Sequence, residues 1–397
     1  MSDNILVVDP ILRGSRLVNS SLAIAGFLKR GWKPHLLTRR EAVTDHYREL
    51  FGASGHHLHA TIPVPAGVWF DKLSPPVVQR CLAEMERLAA AHNLRAVFFT
   101  GWNEFFPVLP LKIWRHTKLL SSLPCLAIDY APGFWLKPAL ADTLRERAKN
   151  LAKRTTTRLA LSRFGSLQLL LLDERVLAPE ASELPASLRR RHEWIPDPAP
   201  LPEPVGSRPP QSSDLPTVLV IGLQTARKGL IDVIELVERN PQGLPVRFHF
   251  VGRLAADTES LRNRLKALPP RHFSWSEGFW PEQVVQGHYA AADFVILPYA
   301  RSFDCSSAVL AMACGHGKPV IVTDHGVIGY RVRRHNLGAA YASRQIFALM
   351  ETLRKLPPPG SPDYQAWSGN CRNFARANSV ENYQEALIAL ISKAKPA

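Results

Sequence analysis

Residues 293–329 read DFVILPYARSFDCSSAVLAMACGHGKPVIVTDHGVIG. The run 293–298 (DFVILP) has the length and β-branched character of a strand buried on both faces. A polar loop follows from Tyr299 to Ser307, then the small apolar run AVLAMACG, which reads as a helix. KPVIVT is a second buried strand and leads into the turn DHGVIG. Strand, loop, helix and strand form one right-handed βαβ unit. The polar loop falls at the carboxyl end of the first strand, where doubly wound sheets hold their ligands. Ser306 and Ser307 stand where the helix should begin, so hydroxyls and unbonded backbone N–H groups would converge on an anion.

The same alternation extends upstream. TVLVIG opens a βα series with the loop LQTARKG and the helix LIDVIELVERN; strand RFHFVG, a helix around Thr258–Leu268, strand HFSW, the turn SEGFW and helix PEQVVQGHYAAA follow. Downstream come a helix from about Ser343 to Leu356 and a final helix, VENYQEALIALISKA. Before this series lies a Pro- and Ser-rich stretch, IPDPAPLPEPVGSRPPQSSDLP, which reads as an interdomain linker. The first half opens on strand ILVVDP, a loop containing Gly14 and Ser15, a helix from about Ser20 to Arg30 ended by Gly31, and strand KPHLLT. Residues 41–75, rich in His, Gly and Pro, read as an irregular excursion. A helix from Pro76 to His92 leads to strand RAVFFT and the segment GWNEFF, which puts Trp102, Asn103 and Glu104 at a strand's carboxyl end. PCLAIDY repeats the pattern with Asp129 and Tyr130, where Asp129 faces a ligand cleft or caps the following turn. LALS then closes this half near Ser162. Two parallel α/β halves joined by a linker imply a cleft between them.

Composition narrows the partners. A chain of 397 residues suits two domains, no apolar run reaches the length of a membrane span, and MSDNILVVDP reads as a first strand instead of a signal segment. Five cysteines without repeated spacing suggest free thiols in a reducing cytoplasm. No CxxC or HExxH pattern is present, and His56, His57 and His59, lacking acidic or Cys neighbours, read as a solvated loop more readily than a metal site. The net charge of +15 points to polyanionic ligands, an acidic acceptor or a membrane surface. Much of it clusters in 145–158, where Leu136, Leu140, Leu144 and Leu151 recur near helical spacing; this is a surface helix covering a sheet, or a basic amphipathic helix that touches anionic membrane. Aromatics are not interleaved with these cations, which argues against nucleic acid. A single Gly14 in place of a GxGxxG fingerprint argues against a dehydrogenase.

In the second half, the loops LQTARKG, GFW and RSFDCSS all end strands, and loops so placed converge on one ligand. Arg227 and Lys228 supply fixed positive charge opposite the Ser306–Ser307 helix start, a combination suited to a diphosphate whose charge grows as it leaves a sugar. Tyr299 and Phe303 line a pocket there or pack in the core.

These segments, in the order VIGLQTARKG, FHFVG, EGFW, YAAADFVILPY, GKPVIVTDHGVIG and NLG, resemble the donor-binding domain of GT-B glycosyltransferases, closest to the retaining family 4 enzymes that use nucleotide-sugars. The first half, from ILVVDP through LALS to WIPDP, also fits. The resemblance implies an α/β GT-B architecture of two Rossmann-like, doubly wound parallel-sheet domains facing across a cleft. It implies an acceptor domain over 1–195, a linker over 196–216, a donor domain over 217–378, and a last helix over 379–397 that returns to the first domain. It implies transfer of a sugar from a nucleoside diphosphate to a glycan, lipid-linked or protein acceptor, with no metal and no cofactor. By position, Lys228 resembles the family's phosphate-binding lysine, and Arg227 stands in for an Arg where this chain has Leu223. Asp304 and Met312 occupy the two positions of the family's Glu-x7-Glu signature; Met312 cannot hold a ribose by hydrogen bonds. The implied catalytic set is Asp304, Arg227 and Lys228. Gly222, Gly278, Phe279, Tyr299, Ser306 and Ser307 join Arg227 and Lys228 on the donor; Gly14, Ser15, Asn103 and Asp129 lie on the acceptor side. Asp304 sits by the sugar ring or caps the helix. The Met312 departure keeps open a second reading, a non-catalytic GT-B-like module that binds a glycan or a protein.

Overall fold

The computed structural model describes residues 3–12, 15–52, 55–62, 75–102, 122–138, 143–199, 201 and 214–394. Contacts divide the chain into unit 1, Met1–Pro196 with Val380–Ala397, and unit 2, Asp197–Ser379.

Unit 1 runs β1 (Asn4–Val8), α1 (Ser15–Lys29), β2 (Lys33–Arg39), α2 (Asp45–Phe51), β3 (His57–Ile62), α3 (Pro75–Ala91), β4 (Leu94–Phe99), β5 (Cys125–Asp129), α4 (Leu144–Arg163), β6 (Leu167–Leu171), α5 (Ala186–Arg189) and β7 (His192–Trp194). The strands form one parallel sheet in the order β3-β2-β1-β4-β5-β6-β7. Alternate residues feed two cores: Leu6, Val8, Val97 and Phe99 on one face, Ile5, Val7, Ala96 and Phe98 on the other. Strands buried on both faces carry continuous apolar runs, as β1 does over Ile5–Val8 and β4 over Ala96–Phe99.

Unit 2 runs β8 (Thr217–Ile221), α6 (Leu230–Arg239), β9 (Arg247–Gly252), α7 (Arg262–Ala267), β10 (Phe273–Glu277), α8 (Glu282–Ala291), β11 (Phe294–Leu297), α9 (Ala308–Gly315), β12 (Val320–Thr323), α10 (Gly326–His335), β13 (Gly338–Tyr341), α11 (Ile346–Arg354) and α12 (Pro362–Ala377). Its parallel sheet has the order β10-β9-β8-β11-β12-β13. Val218, Val220, Phe294 and Ile296 face one core; Leu219, Ile221, Val295 and Leu297 face the other. On α6, Leu230, Val233, Ile234 and Val237 recur at helical spacing and are buried, each stabilising the fold by about 1.5–3 kcal/mol relative to exposure. The last helix, α13 (Val380–Lys393), packs on α1: Tyr383, Leu387 and Ile391 share a core with Ile24 and Phe27, and the Gln384 amide donates to Leu22 O at 2.8 Å.

The α/β class with two doubly wound parallel sheets is as the sequence indicates, but several elements differ from the expectation. The excursion over 41–75 contains α2 and the edge strand β3. His57 and His59 lie on β3 instead of in a solvated loop, and His59 meets His35 of β2 (Nδ1 to Nε2, 3.1 Å). Burial, then the neighbouring His92, His57 and His59, pushes the His35 imidazole down to about 4. LALS belongs to α4, and β6 and β7 complete the sheet instead. Leu136 precedes α4 and bridges to Ser182, Leu140 is outside the described residues, and Leu144 and Leu151 face solvent instead of covering the sheet. DHGVIG is the start of α10, not a turn. None of the five cysteines is joined in a disulfide.

Candidate functional site

Both sheets reverse strand order at their first strand: β8 lies between β9 and β11. The crevice outside the carboxyl ends at such a reversal is where ligands bind in doubly wound folds. In unit 2 it is flanked by the loop after β8, Gly222–Gly229, and the loop after β11, Pro298–Ser307.

The β8 loop is tightly fixed. Gly222 takes φ +98° and donates to Val251 O, Gln224 N donates to Arg253 O, and Ala226 N donates to the Asp257 carboxylate, at 2.8, 2.8 and 3.0 Å. A short 3-10 turn, Ala226–Lys228, ends at Gly229 with φ +69°. Ala300 N donates to Arg227 O at 2.9 Å and ties this loop to the one after β11. The Lys228 side chain folds back under the strand end, its Nζ 3.5 Å from where a Cβ on Gly222 would stand. No carboxylate among the described residues pairs with it. Burial, reinforced by Arg227 and opposed by Cys305, pushes the ammonium down to about 8. Arg227 is exposed, with its guanidinium 5.0 Å from the Phe303 ring centroid.

The β11 loop presents the other wall. Tyr299 and Phe303 are buried against each other, centroids 4.2 Å apart, and Thr323 donates to Tyr299 O at 2.8 Å. The Ser307 hydroxyl meets the Tyr299 hydroxyl at 3.2 Å. The helix therefore starts at Ala308, with Ser307 at its N-cap but its side chain turned to Tyr299. The first N–H groups of α9 are thus left without a side-chain cap, as an anion site requires. Ser306 is half-buried just before it. Cys305 lies close enough to feel both Arg227 and Asp304, and burial raises its thiol to about 11. Asp304 is exposed and is not the residue that caps α9. Met312 packs against the apolar core, so it has the surroundings of a structural residue.

One contributor was not read from the sequence. His325 is the N-cap of α10 and its Nε2 lies 3.0 Å from Ala300 O, with burial lowering its pKa against the raising effect of that carbonyl. Gly326, at φ +66°, places the start of α10 beside Phe303 O. The signal lay in Val327, Ile328 and Val332, buried residues at helical spacing behind the two glycines.

The third loop follows β10. Gly278 takes φ +155° and donates to Gly252 O at 3.4 Å; Phe279 is 71% exposed, with Arg253 4.5 Å from its ring centroid. A groove of about 570 Å³ is lined by residues of the loops after β8, β9 and β11, among them Thr225, Ala226, Asp257, Ala300 and Arg301. Lys228, Tyr299 and Ser306 do not line it.

In unit 1, Asp129 ends β5 and accepts from Ala131 N at 3.1 Å, which is the turn-capping arrangement. Tyr130 O–H accepts from the Asn19 amide at 2.9 Å. Ser15 is the first residue of α1; Gly14, Asn103 and Glu104 lie outside the described residues. Asp9, unread in the sequence, organises the loop after β1: its carboxylate accepts from Ile11 N, Leu12 N and the Ser20 hydroxyl.

Residues 216–356 match the family model described as glycosyl transferases group 1. A search of curated proteins finds no match. Among solved structures, sucrose-phosphate synthase from Thermosynechococcus elongatus is similar at 14% identity and a TM-score of 0.71, over 98% of this chain and 98% of its own. A glycosyltransferase from Rickettsia africae ESF-5 is similar at 11% identity and a TM-score of 0.67, over 99% and 98%. Anabaena HepE, solved in complex with UDP-glucose, is similar at 12% identity and a TM-score of 0.65, over 98% and 99%. The chain has the GT-B glycosyltransferase fold over nearly its whole length, and the heart of its second unit matches the glycosyl transferases group 1 family.

Proposed function

We propose that the protein is a glycosyltransferase that moves a sugar from a nucleoside-diphosphate donor to a glycan, lipid-linked or protein acceptor, with retention and without a metal ion. The observation that carries this reading is Lys228, a half-buried and partly desolvated cation with no carboxylate partner among the described residues, held at the switch point of unit 2 beside Arg227. A buried ammonium is costly unless an anion meets it. A diphosphate supplies that anion, and its charge increases as the glycosidic bond to the donor breaks. Arg227 and the uncapped start of α9 act on the same leaving group, a task that elsewhere falls to a metal. Gly222 lets the backbone approach the donor, Tyr299 and Phe303 hold the wall, and Asp304 steadies the sugar.

A thermal-shift screen against UDP, GDP, ADP, dTDP, CMP and their sugars tests the donor. Ligand at about 100 times its Kd adds roughly 2.7 kcal/mol to the native state. A selective rise with one nucleoside diphosphate supports the reading; none with any overturns it. Asp304→Ala then separates transferase from binding module, the alternative favoured by Met312 at the second signature position. For a transferase, turnover falls about 30-fold, the equivalent of one charged hydrogen bond of about 2 kcal/mol, while donor binding is retained. For a module, there is no turnover to lose.

The exposed face of α4 supports contact with an anionic membrane, at the cytoplasmic surface if the thiols are kept reduced. Leu144, Ala148, Leu151, Thr155 and Leu159 form an exposed stripe, with Leu144 84% and Leu151 62% accessible. Arg145 and Lys149 flank it on one side, Arg147 and Arg158 on the other, while Thr157, Ala160 and Leu161 turn inward. Apolar stripe between basic margins is the pattern of a helix lying in a lipid interface. No helix among the described residues is long and apolar enough to cross a membrane. Leu144→Glu with Leu151→Glu is expected to weaken binding to phosphatidylglycerol vesicles at least tenfold in co-sedimentation. Equal binding of parent and variant overturns membrane docking by this face.

A further inference from the structure

The histidines of unit 1 form a cluster that plays no part in the sugar-transfer reading. His35 on β2 and His59 on β3 lie on the same face of adjacent parallel strands, two positions apart in register. His92, one residue beyond α3, closes over them: its ring centroid is 4.3 Å from that of His35 and 6.1 Å from that of His59. One ring nitrogen from each lies within 4.8 Å of the others, and His35 Nδ1 and His59 Nε2 are 3.1 Å apart. In a tetrahedral zinc site with Zn–N of about 2.0–2.1 Å, neighbouring ligand nitrogens are about 3.4 Å apart. The cluster is therefore close to ligating geometry before any ion enters.

The second layer sets the tautomer. The Asn4 amide nitrogen donates to Asn93 O at 3.4 Å, which turns Asn4 Oδ1 toward His35 Nε2, 3.2 Å away. His35 thus carries its proton on Nε2, and the Nδ1 lone pair points into the cluster. Metal-bound histidines are oriented in this way by an oxygen acceptor on the remote nitrogen. His35 is buried, whereas His59 and His92 are half-buried, so the group is rooted in the sheet and reachable from solvent.

We propose that His35, His59 and His92 bind one divalent transition-metal ion, with zinc the best match, leaving a fourth position for water. The ion would staple the edge strand β3 to β2 and to the end of α3. It would sit near the amino ends of the strands, opposite the carboxyl ends that hold ligands in such sheets, and so would be structural.

The test uses the untagged full chain after treatment with a chelator. Co2+ is the spectroscopic probe and Zn2+ the calorimetric one. One Co2+ per chain is expected, with the visible bands of tetrahedral coordination, and Zn2+ is expected to raise the melting temperature. His59→Ala and His92→Gln, both at half-exposed positions that should leave the fold intact, are each expected to weaken Zn2+ binding at least tenfold. Asn4→Leu, through the orientation of His35, is expected to weaken it about tenfold. His249→Ala in the separate His249–His288 pair of unit 2 serves as the control and is expected to bind as the parent does. Octahedral Co2+ spectra, or equal affinity in the parent and His92→Gln, would overturn the site. Neither result bears on donor binding, which is read separately with nucleotides.

Discussion

Lys228→Met is expected to reduce kcat/KM about 10²–10³-fold, the scale of losing one preorganised charge-stabilising donor, and yet to raise the melting temperature of the ligand-free protein. Both effects come from one fact, an ammonium held half-buried by Gly222 and the β8 loop with Arg227 beside it and no carboxylate against it among the described residues. Removing the charge removes its desolvation cost, and each kcal/mol relieved in a protein of this size raises the melting temperature by about 2–4 °C. The sign of the pH dependence follows from the direction of the shift. The pKa of Lys228 falls from 10.5 to about 8 on folding. Between these values the unfolded chain binds more protons than the native one, so stability rises with pH. The penalty is complete below about pH 8 and gone above 10.5. The stability advantage of Lys228→Met over the parent should therefore be largest at neutral pH and shrink through this window. Donor binding runs oppositely: a diphosphate needs the protonated amine, so affinity in the parent declines above about pH 8. Thermal unfolding and nucleotide titration from pH 7 to 10 read both trends. A variant less stable than the parent at pH 7 would show that Lys228 is paired, and would remove the argument for a waiting anion site.

What the sequence disclosed was whatever depended on local periodicity. DFVILP and KPVIVT could only be strands buried on two faces, and their connection through a small-residue helix set the parallel class and the location of the ligand loops. Glycine and short apolar runs defeated the same reasoning. Gly326 and Gly329 suggested a turn, although packing of Val327, Ile328 and Val332 overrides their poor helix propensity. The small side chains of Gly338–Tyr341 gave no strand signal, yet β12 fixes them as β13 by pairing. Long-range assembly left no trace at all. Nothing local announces that His92 meets His35 and His59, or that the Ser307 hydroxyl turns to Tyr299 instead of capping α9. The three loops expected to bind donor do end strands of one sheet, but Asp304 and Phe279 are both largely exposed, so what they touch is decided by the ligand and not by the fold.

The largest structural effect is expected from Gly229→Ala, which should destabilise the protein by about 2–5 kcal/mol. Gly229 adopts φ +69°, where a Cβ costs about 1–2 kcal/mol from backbone sterics alone. A Cβ there would also stand 1.7 Å from Pro298 O, a backbone atom that cannot rotate aside. Relief requires the β8 loop to move away from the end of β11, and forced displacement of packed groups adds about 1–3 kcal/mol. Gly360→Ala isolates the two contributions, since Gly360 has φ +86° with nothing within 4 Å of a new Cβ. It should show only the backbone cost. The difference between the two variants then measures how firmly the two loops are pressed together. That closeness has a chemical purpose in the proposed reaction, because Gly229 follows Lys228 directly and the Arg227 O to Ala300 N bond spans the same gap. Separating the loops by even a small distance displaces Lys228 and Arg227 from the start of α9. Gly229→Ala should therefore weaken nucleoside-diphosphate binding in the fraction that remains folded, while Gly360→Ala leaves it unchanged. Calorimetric unfolding with nucleotide titration at a temperature where both variants are native makes the comparison. Equal destabilisation by the two substitutions would mean that the loops part freely, and the binding site would then have to be assembled by its ligand.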